Sequence, residues 1–125
     1  MRIVLDTHIL LWLMEEDRRL SAQARAMIAD ADAVYVSSVS LWEIAVKWKL
    51  GKIKEEPRIV EAQLASAGLE ELAITHAHAV ATAALPLLHK DPFDRMLVAQ
   101  AITEPLALLT SDRKLAPYSN LVVMA

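Results

Sequence analysis

The sequence predicts an α/β fold, a three-layer sandwich in which a central, mainly parallel sheet is flanked by helices. Three observations predict it. Short β-branched or aliphatic runs alternate with helical stretches along almost the whole chain. The runs RIVL, VYV, LALLT and LVVM lack polar alternation, which is how strands buried on both faces read. The helical stretches carry their own boundary signals, a serine or an Asp-Pro pair at the start and glycine or proline at the end.

In chain order, Arg2–Leu5 is the first strand, and the apolar Thr7–Glu16 a helix directly after it. Ser21 caps a second helix, SAQARAMIADAD. Val34–Val36 is the second strand. Ser40 then opens the helix SLWEIAVKWKLG, which Gly51 stops. Pro57–Ala67 is helical up to Gly68, and Leu69–Ile74 holds a third strand. Thr75–Leu85 is an Ala-rich helix ended by Pro86. Pro92–Thr103 is the last helix, and Leu106–Thr110 and Leu121–Met124 are the last strands. No repeat or linker interrupts this order, so residues 1–125 read as one domain.

Composition narrows the classes. Hydrophobic residues make up 55% of the chain and glycines number only 2, which favours a packed core over disorder. No apolar run is long enough to span a bilayer. Asp6 and His8 interrupt the apolar N-terminus and no small-residue cleavage site follows, so no signal peptide is read. The absence of cysteine excludes disulfides and thiolate metal sites and fits a reducing cytoplasm. With a net charge of -3, any nucleic-acid binding must be local or metal-assisted.

In a parallel sheet the ligand crevice lies beyond the carboxyl ends of the strands. Four acids occupy such positions. Asp6 follows the first strand, and Glu43 lies in the first turn of the helix after the second. Asp94 lies in the first turn of its helix, and Asp112 follows LALLT. Each has a plain alternative as a cap. Asp6 precedes the helix at Thr7, and Ser40-Leu-Trp-Glu43 reads as a capping box. Asp91-Pro92 is a good helix start with Asp94 three residues on, and Asp112 can cap SDRKL. Two arguments favour a shared site. Helical spacing puts Asp94 on the face of Leu97, Val98 and Ala101, where an ionised carboxylate needs compensation. Several carboxylates in one crevice also repel, and hard oxygen donors suit Mg²⁺ or Mn²⁺. Asp94 therefore reads as a metal-site acid and Asp91 as the helix cap. Such a site can activate water and stabilise the leaving oxygen of a phosphodiester. Lys90, Arg95, Arg113, Lys114 and the series Lys47, Lys49, Lys52, Lys54 could hold the strand; for Lys47 an i,i+4 pair with Glu43 is the favoured reading.

The segments LDTHILLW, SLWEIAVKWKLGK, LPLLHKDPFDRMLVAQA and LLTSDRKL, in this order and spacing, resemble a PIN domain. The nearest resemblance is to the VapC-like toxin ribonucleases of prokaryotic type II toxin–antitoxin systems, and it spans nearly the whole chain. It implies an α/β sandwich around a parallel sheet and a Mg²⁺- or Mn²⁺-dependent RNA endonuclease. The family's four acids match Asp6, Glu43, Asp94 and Asp112, with Asp6, Asp94 and Asp112 as metal ligands. Its supporting hydroxyl residues match Thr7 and Thr110; Asp91 and Arg95 are the further supporting or substrate-contacting residues. The resemblance also implies RNA as substrate, a cognate antitoxin and a homodimer.

The SLWEIAVKWKL helix has Leu41, Ile44, Ala45 and Trp48 on one face and Trp42, Val46 and Leu50 on a second. One core needs one such face, so the excess implies burial on two sides or a partner surface. Trp and Met residues, by type, are expected in the core. His76 and His78 are two apart, a poor zinc pair on a helix. His89 reads as a loop histidine bonded to backbone, and His8 is assigned no chemistry. Ser37, Ser38 and Ser40 lack a His–Asp partner pattern, which excludes a serine hydrolase. Phospho-acceptor and haloacid-type sites are disfavoured, because the first strand ends Asp6-Thr7-His8 rather than in paired acids. A DNA-directed or structure-specific nuclease, or a non-catalytic binding domain, remain the alternatives.

Overall fold

The runs read as strands are strands, and all of them run parallel. In the computed structural model, which describes all 125 residues, the elements are β1 (Arg2–Leu5), α1 (Thr7–Met14), α2 (Ala22–Asp30), β2 (Ala33–Ser37), α3 (Ser38–Lys49), α4 (Pro57–Ser66), β3 (Glu70–Leu72), α5 (His76–Ala81), α6 (Pro92–Thr103), β4 (Ala107–Thr110) and β5 (Val122–Met124). Short 3₁₀ turns cover Thr82–Ala84 and Arg113–Tyr118. The sheet order is β3-β2-β1-β4-β5, with every neighbouring pair parallel.

Period-two geometry divides β1 between two apolar layers. Ile3 and Leu5 join Val34, Val36 and Leu109 beneath Ile9, Leu10, Leu20, Ala24, Ile44 and Val60. Val4 points the other way, with Leu108 and Leu72, against Val39, Leu97, Val98, Ala101 and Leu115. The all-apolar strand pattern is thus explained by helices on both faces. Truncating a fully buried member such as Leu108 to alanine should cost about 2–5 kcal/mol.

The sheet order places the topological switch between β1 and β4. Their register pairs Val4 with Leu108 and Leu5 with Leu109, so both strands end level. The Asp6 N–H donates to the Leu109 carbonyl at 3.0 Å, and the side chains of Asp6 and Thr110 emerge side by side.

Several boundaries differ from expectation. Helix α1 ends at Met14 rather than Glu16, which takes a positive φ of 54° in the turn that follows. The helix expected over Thr75–Leu85 is α5 plus a 3₁₀ turn, because Pro86 removes the donor that would continue it. Helix α3 begins at Ser38, with Ser37 as cap, not at Ser40. The Ser40–Glu43 capping box does not form, and Glu43 sits in the second turn. The last residue of β2 already supplies a hydroxyl to the Val39 N–H at 3.0 Å, so the helix starts as soon as the strand ends. Two of the three tryptophans are not core: Trp42 is 59% exposed and Trp48 40%, while Trp12 is half-buried against the apolar layer. The inward stripe of α3 is taken by Val39, Ser40, Glu43 and Ile44, which leaves the indoles on its outer side. No helix is long and apolar enough to cross a membrane.

Candidate active site

At the carboxyl end of the sheet a cavity of about 320 Å³ is lined by Asp6, Glu43, Asp91, Asp94 and Asp112, together with Thr7, His8 and Lys47. The chain brings five carboxylates and one lysine to a single space, from five different elements and loops. A larger cavity of about 460 Å³ lies between α1, α2 and α4, but its lining is mostly apolar.

Asp6 caps α1 and also serves the crevice. Its Oδ1 accepts from the Thr7 N–H at 2.7 Å, and its Oδ2 accepts from the Thr110 hydroxyl at 2.7 Å. Thr110 Oγ1 in turn accepts the Asp112 N–H at 3.0 Å, so one hydroxyl ties the ends of β1 and β4 to the following loop. Asp112 caps the next turn through the Lys114 N–H at 3.0 Å. Thr7 donates to Ser40 Oγ at 2.9 Å, which joins α1 to α3. The capping and site explanations are therefore not rivals: Asp6 and Asp112 each cap through Oδ1 and still line the crevice.

Helical spacing sets Ser40, Glu43 and Lys47 on one stripe of α3. Glu43 Oε2 accepts from Lys47 Nζ at 2.5 Å, as the i,i+4 reading expected. That bond raises the lysine pKa and keeps it cationic. Glu43 Oε1 is buried and has no hydrogen-bond partner, alone among the buried side-chain polar atoms. On α6, Asp91 is the cap: its Oδ1 accepts from the N–H groups of Phe93 at 2.8 Å and Asp94 at 3.2 Å. Asp94 is thereby released from capping and turns into the crevice.

Three residues depart from expectation. His89 does not bond to backbone through its ring; its Nε2 lies 2.8 Å from Asp94 Oδ2, and His89, Asp94 and Asp112 offer ligand atoms within 4.8 Å of one another. His8, assigned no chemistry, lines the cavity. Its Nε2 accepts the Ser111 N–H at 3.2 Å, so the ring proton sits on Nδ1, which lies 3.3 Å from Asp6 Oδ2. Arg95 turns away from the cavity. It donates to the carbonyls of Pro86 at 2.9 Å and Thr82 at 3.0 Å, and it holds the segment that delivers His89. Adjacency in the sequence was the available signal for both histidines, because each lies within five residues of a site acid.

The electrostatics follow from burial and crowding. Asp94 is pushed up to about 7, first by burial and next by the charge of Asp6, against the opposing bond from His89. Asp6 is also raised, chiefly by burial, although His8, Thr110 and the Thr7 N–H act against the shift. With a single lysine facing five carboxylates, the crevice at neutral pH must hold a proton or a cation. All its free donors are hard oxygens and one imidazole, and one of those oxygens is buried without a partner. That set fits a small divalent cation.

A parallel α/β sandwich with an acidic, cation-fitting crevice at its β1–β4 switch defines a class of metal-site domain. The match of residues 3–121 to the PIN domain model places this chain in the PIN domain family. Across 126 aligned positions it is 35% identical to Ribonuclease VapC22 of Mycobacterium tuberculosis, covering 94% of this chain and 92% of that protein. The fold is shared with VapBC2 of Rickettsia felis, crystallised bound to a DNA fragment from its promoter, at a TM-score of 0.71 and 16% identity over 100% of this chain and 98% of that one. It is also shared with a toxin–antitoxin complex from Klebsiella pneumoniae, at a TM-score of 0.67 and 24% identity over 97% and 95% of the two chains.

Proposed function

We propose that this chain is a metal-dependent endoribonuclease, the toxin of a type II toxin–antitoxin pair, working as a single nuclease domain over residues 1–125. The observation that carries the proposal is the cavity in which five carboxylates face one lysine and leave Glu43 Oε1 buried and unpartnered. The identity to a named ribonuclease over nearly the full length supports it.

Asp6, Asp94 and Asp112 are the residues that would hold Mg²⁺ or Mn²⁺. When bound, the ion supplies activation of water, neutralisation of phosphate charge and stabilisation of the leaving oxygen. Thr110 aligns Asp6, and the Asp91 cap frees Asp94 to face the same space. Thr7 fixes α3 through Ser40, which keeps Glu43 at the cavity wall. Glu43 Oε1 is the free acceptor for a proton from the attacking water, while Lys47 balances the charge on Oε2. Arg95 holds the 82–89 segment. Lys90, Arg113 and Lys114 are exposed next to Asp91 and Asp112, where they can hold phosphates of the strand.

The partners proposed are RNA, a cognate antitoxin and a second copy of this chain, in the cytoplasm. Neighbouring folds solved as toxin–antitoxin complexes support the antitoxin. The outer side of α3, with Trp42, Trp48 and Leu50 exposed, is the surface on which an antitoxin segment or a second subunit would sit.

The test is cleavage of a mixed tRNA and mRNA panel by partner-free protein, with Mn²⁺, with Mg²⁺ and with chelator, beside Asp6→Asn prepared identically. Discrete products requiring both metal and Asp6 are expected. Equal cleavage by wild type and variant would refute the site. Metal binding without RNA cleavage would redirect the search to DNA.

A further inference from the structure

A chain of polar groups, buried at His78, Gln100 and Ser37 and reaching the surface at Glu104, links α6 to α3, and the site described above does not use it. It begins at Glu104, just past the end of α6, whose carboxylate accepts from His78 Nε2. His78 is 1% exposed, a titratable ring sealed inside the protein. Its Nδ1 accepts from the Thr75 N–H at 3.1 Å and from Gln100 Nε2 at 3.3 Å. Gln100 is fully buried, and its Oε1 accepts from the Ser37 hydroxyl at 2.6 Å. Ser37 Oγ accepts from the Val39 N–H at 3.0 Å, which caps α3.

The direction of every bond in this chain is determined. The Thr75 N–H on Nδ1 puts the ring proton of His78 on Nε2, facing Glu104. The amide of Gln100 can then take only one orientation, N–H toward the histidine and oxygen toward Ser37. Donors and acceptors run the same way from Val39 to Glu104, so each bond polarises the next. A buried network with every member satisfied rigidifies what it joins. Here it joins α6, which carries Asp94, to the cap of α3, which carries Glu43. Gln100 lies six residues beyond Asp94, and Ser37 six residues before Glu43.

We infer that Gln100, oriented by His78 and Glu104, is a positioning residue of the crevice: through Ser37 it sets the first turn of α3 against α6 and so fixes how Glu43 faces Asp94. Apolar packing alone would hold the two helices together but would tolerate small slides and rotations. A directional bond at the helix cap removes that freedom, and carboxylates must stand within about 0.5 Å of productive geometry to serve a site. The inference rests on the metal-site reading above.

The test is Mn²⁺ binding by calorimetry to metal-free protein, with RNA turnover as a second readout. The variants are Gln100→Leu, Ser37→Ala and Ser37→Thr, each confirmed folded by far-ultraviolet dichroism well below its melting point. Outer-shell partners of metal ligands are worth about 10–100-fold in affinity or activity. For this more distant link, Mn²⁺ affinity should weaken about 3- to 10-fold in Gln100→Leu and in Ser37→Ala. It should return to near wild type in Ser37→Thr, which restores the hydroxyl. Turnover should fall through kcat, with KM for RNA unchanged. The double variant Gln100→Leu/Ser37→Ala should be no worse than the poorer single one, because both break one bond. Additive losses would mean that Ser37 acts only as a cap, and would overturn the inference. So would folded variants of lowered melting temperature that bind Mn²⁺ as wild type does. Should Gln100→Leu fail to fold, Gln100→Met takes its place, since it removes both polar atoms with little change of length, whereas Ser37→Ala alone also removes the α3 cap. A wild type that binds no Mn²⁺ would overturn the metal-site reading and this inference with it, whereas equal binding by all variants overturns only the inference.

Discussion

Asp17 and Asp94 are the same residue type in the same small protein, and they stand at opposite ends of the carboxylate range. Asp17, in the turn after α1, is pulled down to about 2, because Arg19 wraps it with its guanidinium and backbone N–H. Asp94, in the crevice, is pushed up to about 7 by burial and by Asp6. One acid has its cation built in, on an open surface. The other is packed among acids with no arginine within reach. An arrangement that costs stability persists when the missing cation comes from outside. The turn is built for the fold, whereas the crevice keeps an uncompensated charge that a bound cation would relieve.

Replacing Asp94 breaks the comparison most directly. Asp94→Asn should lower RNA cleavage by at least about a hundredfold, since on the proposed reading it removes a metal ligand rather than an outer partner. The same change should stabilise the metal-free protein. Between pH 4 and pH 7 the folded state holds a proton on Asp94 that the unfolded chain releases, so wild-type stability falls as pH rises through that window. After allowance for water reaching the crevice, the loss by pH 8 is about 2 kcal/mol. Thermal melts of metal-free wild type at pH 5 and pH 8 should show it, and Asp94→Asn should flatten it. A wild type whose melting temperature rises over the same interval would contradict this account.

Lys47 tests the crevice from its cationic side. Lys47→Met leaves the Glu43 carboxylate buried without its partner and should destabilise the metal-free protein by about 2 kcal/mol, reduced from the fully buried case because the ammonium is partly exposed. Saturating Mn²⁺ should recover part of that loss, and urea melts with and without the ion measure it. An undiminished deficit in Mn²⁺ would show that the lysine, not a cation, is the intended counter-charge.

The smallest effect belongs to the turn. Asp17 is lowered, so its stabilisation is present above about pH 4 and fades as pH falls toward 2. Arg19→Ala should shift the melting temperature at pH 7 by no more than about 2 °C and leave Mn²⁺ binding alone. A larger shift would trace to the stacking of Arg19 over Trp12, 5.0 Å from the ring centroid.

Much of this was legible in the chain. The strand runs could be read because helices cover both sheet faces and remove the polar alternation. The acids could be located because parallel strands deliver their following residues to one end. The capping-box alternative for Glu43 is the instructive failure. Ser40-Leu-Trp-Glu43 satisfies the local pattern of a capping box, but Ser37 reaches the helix start first and Glu43 is committed to Lys47. Trp42 and Trp48 were read as core from residue type, yet the inward stripe of α3 was already filled. Arg95 was read by proximity to Asp94, although a helix turns adjacent residues about 100° apart and sends the guanidinium to the 82–89 segment.

Local chemistry in the sequence determined the alternation of strands and helices, the Asp91 cap and the placement of acids after strands. These depend on periodicity and on neighbours a few residues away. Only the tertiary structure decided that Thr110 bridges Asp6 and Asp112, that His89 meets Asp94, and that Gln100 links His78 to Ser37. Apart from the His89–Asp94 and Thr110–Asp112 contacts, these links join residues far apart in the chain. Their existence depends on sheet order and helix packing, which local pattern does not encode. The raised pKa of Asp94 is of the same kind, because burial and the charge of Asp6 exist for it only once β1 and α6 have met.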